Sequence, residues 1–534
     1  MTQQAFTYTT SAQVREALLA RQEIALLDVR EEDPFAQGHP LFAANLPLGR
    51  LELDAYTRIP RLNTNIVVYD NGEGLALIAA RRLQALGYTH VSLLEGGLQG
   101  WHDAGAEIFI DVNVPSKSFG ELVESKRHTP SLAAEEVKAL LDQNADVVVL
   151  DARRFDEYQT MNIPGSTSVP GAELVLRART LAPNPATRII VNCAGRTRSI
   201  IGTQSLVNAG LPNPIAALRN GTIGWTLAGQ TLEHGASRRA PTTVADEHLT
   251  VASTQARGVA DKAGVQRATA QQIPAWLADK QRTTYLLDVR TPEEFEAGHL
   301  SGFRNAPGGQ LVQETDFSAP VRGARIVLAD LDGVRANMTA SWLAQMGWDV
   351  YVLDGLSAAD FSVTGPAAQN LPTPTAATAW IKPQALAQAL ANSPADSIAV
   401  IDLTTSANHV RRHIPGAWFA LRTDLAQALA RIPKAQRYVL TCGSSLLAPY
   451  AVQEFAEATG ATVEVLEGGN QAWAEAGLPV ESGEQRLASP RVDRYRRPYE
   501  GTDNAQQAMQ AYLDWEFGLV EQLGRDGTHG FKVI

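Results

Sequence analysis

Cysteine is nearly absent: the 534 residues hold only Cys193 and Cys442. That scarcity excludes a disulfide framework and a cysteine-rich zinc site. Long apolar runs are missing too, and none approaches the ~20 residues needed to span a bilayer. Charge is sparse, at 19% of residues, and the balance is acidic, a formal net charge of -11 at pH 7. Such a balance argues against general nucleic-acid binding, while leaving room for a local basic site. The opening Met1-Thr2-Gln3-Gln4-Ala5-Phe6 has no basic stretch followed by an apolar one, so no secretory signal is visible. These absences point to a soluble, cytoplasmic protein without membrane contact, in a compartment that keeps thiols reduced. A chain this long is expected to hold roughly three to five domains, each with its own core.

What is present is a fourfold repeat. Leu26-Leu27-Asp28-Val29-Arg30 recurs as Val149-Leu150-Asp151-Ala152-Arg153, as Leu286-Leu287-Asp288-Val289-Arg290 and as Val400-Ile401-Asp402-Leu403-Thr404. The spacing, roughly 115 to 135 residues, is that of domains and not of a solenoid. Each unit continues with a turn, such as Gly298-His299-Leu300-Ser301-Gly302 or His413-Ile414-Pro415-Gly416, and then a second apolar strand. A helix-period segment follows, then a third strand closing on glycine, as in Leu94-Glu95-Gly96-Gly97. Trp101, Trp225 and Trp473 stand just beyond three of the four closing turns. Apolar strands alternating with helices predict a parallel sheet covered on both faces. The expected fold class is therefore α/β, four small domains in tandem with a helical C-terminal tail. The boundaries fall at 1–112, 113–240, 241–365 and 366–482, with the tail over 483–534. Residues 113–130, 236–265 and 365–376 read as irregular connections.

Both cysteines end the second strand of their unit, Cys193 after Arg188-Ile189-Ile190-Val191-Asn192 and Cys442 after Tyr438-Val439-Leu440-Thr441. Ligands of wound α/β sheets bind at the carboxyl ends of strands. There, loop amides and a helix N-terminus can lower a thiol pKa and favour the thiolate. The loop Cys193-Ala194-Gly195-Arg196-Thr197-Arg198 adds two arginines whose forked donors match an oxyanion. Aligning the repeats puts Asp70 and Asp330 at the cysteine position of the first and third units, where no sulfur can be carried. The Asp-x-Arg pairs recur in units without cysteine, which reads as a structural role. His39, His299 and His413 read as turn-stabilising, and no constellation suggests a metal or nucleotide cofactor.

These ordered elements resemble four tandem rhodanese-homology domains. The matching parts are the Asp-x-Arg strand end, the Ile-Pro-Gly or Gly-His turn, the loop after the second strand, and the closing Glu-Gly-Gly…Trp segment. The resemblance implies sulfurtransferase chemistry: a cysteine thiolate takes the outer sulfur of thiosulfate as a persulfide and passes it to cyanide or a thiol. Cys193 is then the catalytic residue, with Ala194, Gly195, Arg196, Thr197 and Arg198 forming the donor-binding loop. The loop Cys442-Gly443-Ser444-Ser445-Leu446-Leu447-Ala448 is similar to the Cys-Gly-Ser-Gly-Val-Thr-Ala loop of mercaptopyruvate sulfurtransferases, but departs at three positions. It contains no basic residue, and Thr404 replaces the arginine of the other units. Arg412 and Arg422 are the remaining cations for an anionic donor there.

Four functions stay open at this stage. They are a thiosulfate-type enzyme on Cys193, a mercaptopyruvate-type enzyme on Cys442, a cysteine phosphatase, and a non-catalytic sulfur carrier or scaffold. Phosphatase loops place arginine six positions after cysteine, whereas here the sixth position is Ser199. The expected partners are a small-molecule sulfur donor and a thiophilic acceptor. A protein acceptor and a homo-oligomer are both compatible with the sequence.

Overall fold

The computed structural model describes residues 6–394 and 397–534. Residues 1–5, most of the opening segment read above for an export signal, lie outside the described residues. The described chain builds four five-stranded sheets, and every pairing between their strands is parallel. In the second domain the strands run Ser131–Leu132, Ile215–Leu218, Arg188–Asn192, Val147–Asp151 and Thr167–Ser168 across the sheet. The other three sheets repeat this order, so the repeat in sequence is a repeat in topology. Both central strands are apolar and buried, as helices on the two faces require. Among the described residues no helix is long and apolar enough to cross a membrane.

The Asp-x-Arg pairs are clamps at the strand ends. Arg153 grips Asp151 through Nε at 2.9 Å and Nη2 at 2.7 Å, and also donates to the Met161 carbonyl at 2.5 Å. Arg30 and Arg290 repeat this arrangement on the Gly38 and Gly298 carbonyls. In the fourth domain Thr404 cannot reach, and buried His409 takes the place of the guanidinium, its Nδ1 lying 2.9 Å from Asp402. The rings of His409 and His413 stack at 4.0 Å, in the register of Phe35–His39 and Phe295–His299. The three repeated tryptophans are equally uniform. Each indole Nε1 donates to a carbonyl six residues on, at Glu107, Thr231 and Pro479.

Two stretches expected to be irregular are helices instead: Val114–Arg127 and Asp246–Ala263. The first conceals its periodicity because Ser116, Lys117, Ser118 and Glu121 are all buried. The domains also pair. Arg335 of the third reaches Glu173 of the second at 2.7 Å, and Arg422 of the fourth reaches Glu52 of the first at 2.7 Å. Gly171 and Gly309 let the second and third domains touch through backbone, since a Cβ on Gly309 would lie 3.1 Å from the Gly171 nitrogen.

The tail is a belt over all four domains. It donates from Tyr495 N to Glu32, accepts on Asp493 from Ser406 N, and forms the helix Gln506–Asp526 across the second domain. It ends on the third domain, where Lys532 N donates to the Gln345 carbonyl at 2.8 Å.

Candidate active site

Cys193 leaves the strand Arg188–Asn192, and the helix Thr197–Asn208 begins four residues later. Its carbonyl accepts from Thr222 N at 2.9 Å, which ties the loop to the closing turn of the domain. The contact explains the closing glycine: Gly221 sits at φ +56, and a Cβ there would lie 2.3 Å from the Cys193 oxygen. The same contact recurs from Leu98 N to Asp70 O and from Asn470 N to Cys442 O. The first, second and fourth loops are therefore anchored at the same carbonyl, while their turns differ. Positive φ falls at Gly72 and Gly74 in the first and at Ser445 in the fourth, and at none of residues 193–198.

The two aspartates show which amides a side chain at the cysteine position can reach. Asp70 accepts from Gly72 N at 3.0 Å and from Ala76 N at 2.9 Å. Asp330 accepts from Gly333 N at 3.0 Å and from Ala336 N at 2.7 Å. In both loops the amide six residues on, at the start of the following helix, holds a carboxylate oxygen. In each case a helix N-terminal amide donates to the side chain at the cysteine position, although burial and the neighbouring Asp332 push the Asp330 carboxyl well above its ordinary range. Ser199 occupies that sixth position after Cys193, and its hydroxyl lies 3.4 Å from the sulfur.

Cys193 is 2% exposed, and this burial overturns the expectation of a lowered thiol pKa. Burial raises the Cys193 thiol, while the Arg198 charge and the hydroxyl and amide of Ser199 pull it back only in part. The arginines are also engaged. Arg198 forms a two-bond pair with Glu157 at 2.7 and 2.8 Å. Arg196 pairs with Glu121 at 2.7 and 2.9 Å and with Glu124, and it donates to Asn220 at 3.0 Å. Arg196 thus has most of its donors committed, whereas Arg198 uses one N–H of each terminal nitrogen on Glu157 and keeps the rest. The rest of the loop is enclosed as well, with Ala194 and Thr197 buried, while the side-chain face of Gly195 meets the tail.

Glu157 was missed in reading the sequence, although a signal exists. Arg335 and Glu294 form the same pair in the third domain, at 2.6 and 2.8 Å. The matching positions are Pro34 and Leu75 in the first domain, and Asn408 and Leu447 in the fourth. The two charges thus occur together or not at all.

The tail closes the site. Tyr499, Met509, Tyr512 and Leu513 pack with Ala194 and Ile223 in one buried cluster. A Cβ on Gly195 would lie 3.1 Å from the Tyr512 ring and 3.3 Å from Glu516 Oε2. Glu516 accepts from the Tyr512 hydroxyl at 2.9 Å, and burial pushes its carboxyl up to about 8. Removing this cover should expose the thiol. In a Cys442→Ser background, Tyr512→Ala is expected to speed labelling of Cys193 by a disulfide reagent by about tenfold, since fewer contacts then oppose local opening. An unchanged rate would show that access does not pass beneath the tail.

Cys442 is 4% exposed and ends the strand Arg437–Thr441. Ser445 in its loop holds φ +66, where the similar loop has glycine, and its hydroxyl donates to the Leu466 carbonyl at 2.5 Å. Arg422 is committed to Glu52 and Glu454, and Arg412 is exposed. The structure places neither beside the Cys442 sulfur.

A Rhodanese-like domain model matches residues 11–104, 133–228, 269–356 and 382–476. A solved structure described as thiosulfate sulfurtransferase from Pseudomonas aeruginosa is 66% identical, covering 99% of this chain and 100% of that one at a TM-score of 0.96. The Alr3790 protein from Anabaena sp. is 28% identical over 20% of this chain and 86% of its own, with a TM-score of 0.19. A rhodanese-like domain protein from Staphylococcus aureus is 25% identical over 20% of this chain and 100% of its own, with a TM-score of 0.17. Four matched domains with one repeated topology place this chain in the rhodanese-like family.

Proposed function

We propose that the protein is a thiosulfate sulfurtransferase working through a persulfide on Cys193. The reading rests on one observation: the amide position that holds a carboxylate in the Asp70 and Asp330 loops faces a thiol in this loop, with the Arg198 charge beside it. In the first step the Cys193 thiol loses its proton to solvent, and the resulting thiolate attacks the outer sulfur of thiosulfate. The S–S bond forms, the bond to the sulfonate sulfur breaks, and its electron pair leaves on sulfite. Cyanide or a thiolate then attacks the outer sulfur and restores the Cys193 thiolate. The loop amides stabilise the negative persulfide, as preorganised donors do in other anion holes. Arg196 and Arg198 keep the loop in shape and lend it positive potential. The first and third domains carry no sulfur, because an aspartate side chain already fills the seat.

A second reading places turnover on Cys442 with mercaptopyruvate, favoured by the Cys-Gly-Ser opening of its loop. Mass spectrometry of the intact protein after thiosulfate separates the two. One added sulfur atom on the peptide holding Cys193, removed by cyanide, is expected. An adduct confined to Cys442 would replace the first reading with the second.

A further inference from the structure

The two domains without cysteine meet at a cavity of about 440 Å³. Arg50 and Arg58, at the two ends of the helix Leu51–Arg58, line it from the first domain. Arg304 lines it from the third domain, and Leu446 of the Cys442 loop forms part of the same wall. The positive charges there are poorly matched. Arg50 pairs with Asp54 at 3.2 Å. Arg58 is 5% exposed and meets no carboxylate: it donates to the carbonyls of Phe317 at 2.9 Å, Asn45 at 2.7 Å and Asp316 at 3.2 Å, and lies over the Phe317 ring at 4.8 Å. Arg304 donates once, from Nη2 to the Ser318 carbonyl at 3.0 Å. Among the described residues neither Arg58 nor Arg304 has a carboxylate within 4.0 Å.

Burial lowers the pKa of both guanidinium groups, and the Arg58 charge lowers that of Arg304 further. Other acids are near but do not close the gap. Asp54 already serves Arg50, Glu296 is exposed on the cavity wall, and the Asp316 carboxyl acts on Arg58 only from beyond ion-pair range. Two adjacent cations in a poorly solvated interface are costly without a counter-ion. Arginine forks are suited to an oxyanion, and the volume lies within the ordinary range for small-molecule sites.

We propose that this cavity binds a small oxyanion, gripped by the free donors of Arg304 within the field of Arg58 and Arg50. The group recognised is an inorganic tetrahedral anion or the carboxylate of a small organic acid. The site would lie against the Cys442 loop, which has no basic residue of its own. The cysteine-free domains thereby supply positive charge that the Cys442 loop lacks. This site does not depend on which cysteine carries sulfur.

The test is calorimetric titration of the full chain with sulfate, phosphate and malonate, with chloride holding ionic strength constant. Saturable binding of at least one anion is expected, weakened at least about tenfold by Arg304→Met and less by Arg304→Lys, which keeps the charge but loses the fork. Arg154→Gln, outside this cavity, should bind as the parent does. Preference for sulfate and phosphate identifies the tetrahedral class, and preference for malonate the carboxylate class. Circular dichroism confirms that the variants are folded, and should Arg304→Met fail to fold, Arg304→Lys supplies the comparison. Absence of saturable binding by all three anions, or equal affinity in the folded Arg304 variants, overturns the proposal.

Discussion

Cys193→Ser is expected to lower thiosulfate-dependent formation of thiocyanate from cyanide by about a thousandfold or more. Serine nearly matches cysteine in size, so the loop and its Thr222 contact should survive. The hydroxyl cannot stand in for the thiol as a sulfur carrier. Cys442→Ser should leave the same rate within about twofold, as expected of a change outside the working site. Cys193→Asp is the sharper companion, because it copies what the chain already does at Asp70 and Asp330. It should fold normally, its carboxylate held by the Ser199 amide, and be as inactive as the serine variant. Steady-state rates of all three, with folding checked by circular dichroism, decide the matter. Retained activity in Cys193→Ser with loss in Cys442→Ser would move the chemistry to the fourth domain.

The fold was legible because the domains share marks that tolerate little change, each mark present in three of the four. The Asp-x-Arg clamp, the closing glycine against a carbonyl and the tryptophan each meet backbone in a fixed way. Position then carried over from copy to copy, which is how Asp70 and Asp330 could be aligned with Cys193. Charge state could not be read in this manner. Arg196 and Arg198 looked available because Glu121 and Glu157 are remote in sequence, 75 and 41 residues away. The cover over the thiol was hidden for a similar reason. Tyr499, Tyr512 and Glu516 belong to a segment with no counterpart in the repeats, so no internal comparison pointed to their place. His409 shows the reverse case, a compensation visible in principle because it holds the ring position of Phe35 and Phe295.

Arg198→Met is expected to destabilise the second domain by about 3 kcal/mol, the lower end for breaking a buried ion pair. The lower end applies because the Glu157 side chain is 24% exposed, so water partly solvates the charge left behind. Hydrogen exchange in the helix Thr197–Asn208 isolates this domain from the other three, and should quicken about a hundredfold. The double variant Arg198→Leu with Glu157→Asn copies the Leu447 and Asn408 of the fourth domain. It should recover most of the loss, since no unpaired charge remains. The pair also sets an acid limit. Burial tends to raise the Glu157 carboxyl, but Arg198 overrides it and holds the group at about 2, below its ordinary 4.5. A lowered folded-state value stabilises above the unfolded one, so the contribution is complete above pH 4.5 and fades as pH falls towards 2. Protection of this helix, measured against the unstructured exchange rate at the same pH, should therefore fall in the parent across that window, while the double variant lacks this part of the acid response. Equal acid sensitivity in the two proteins would show that the pair is not what secures the loop, and would return Arg198 to the role of a free anion ligand.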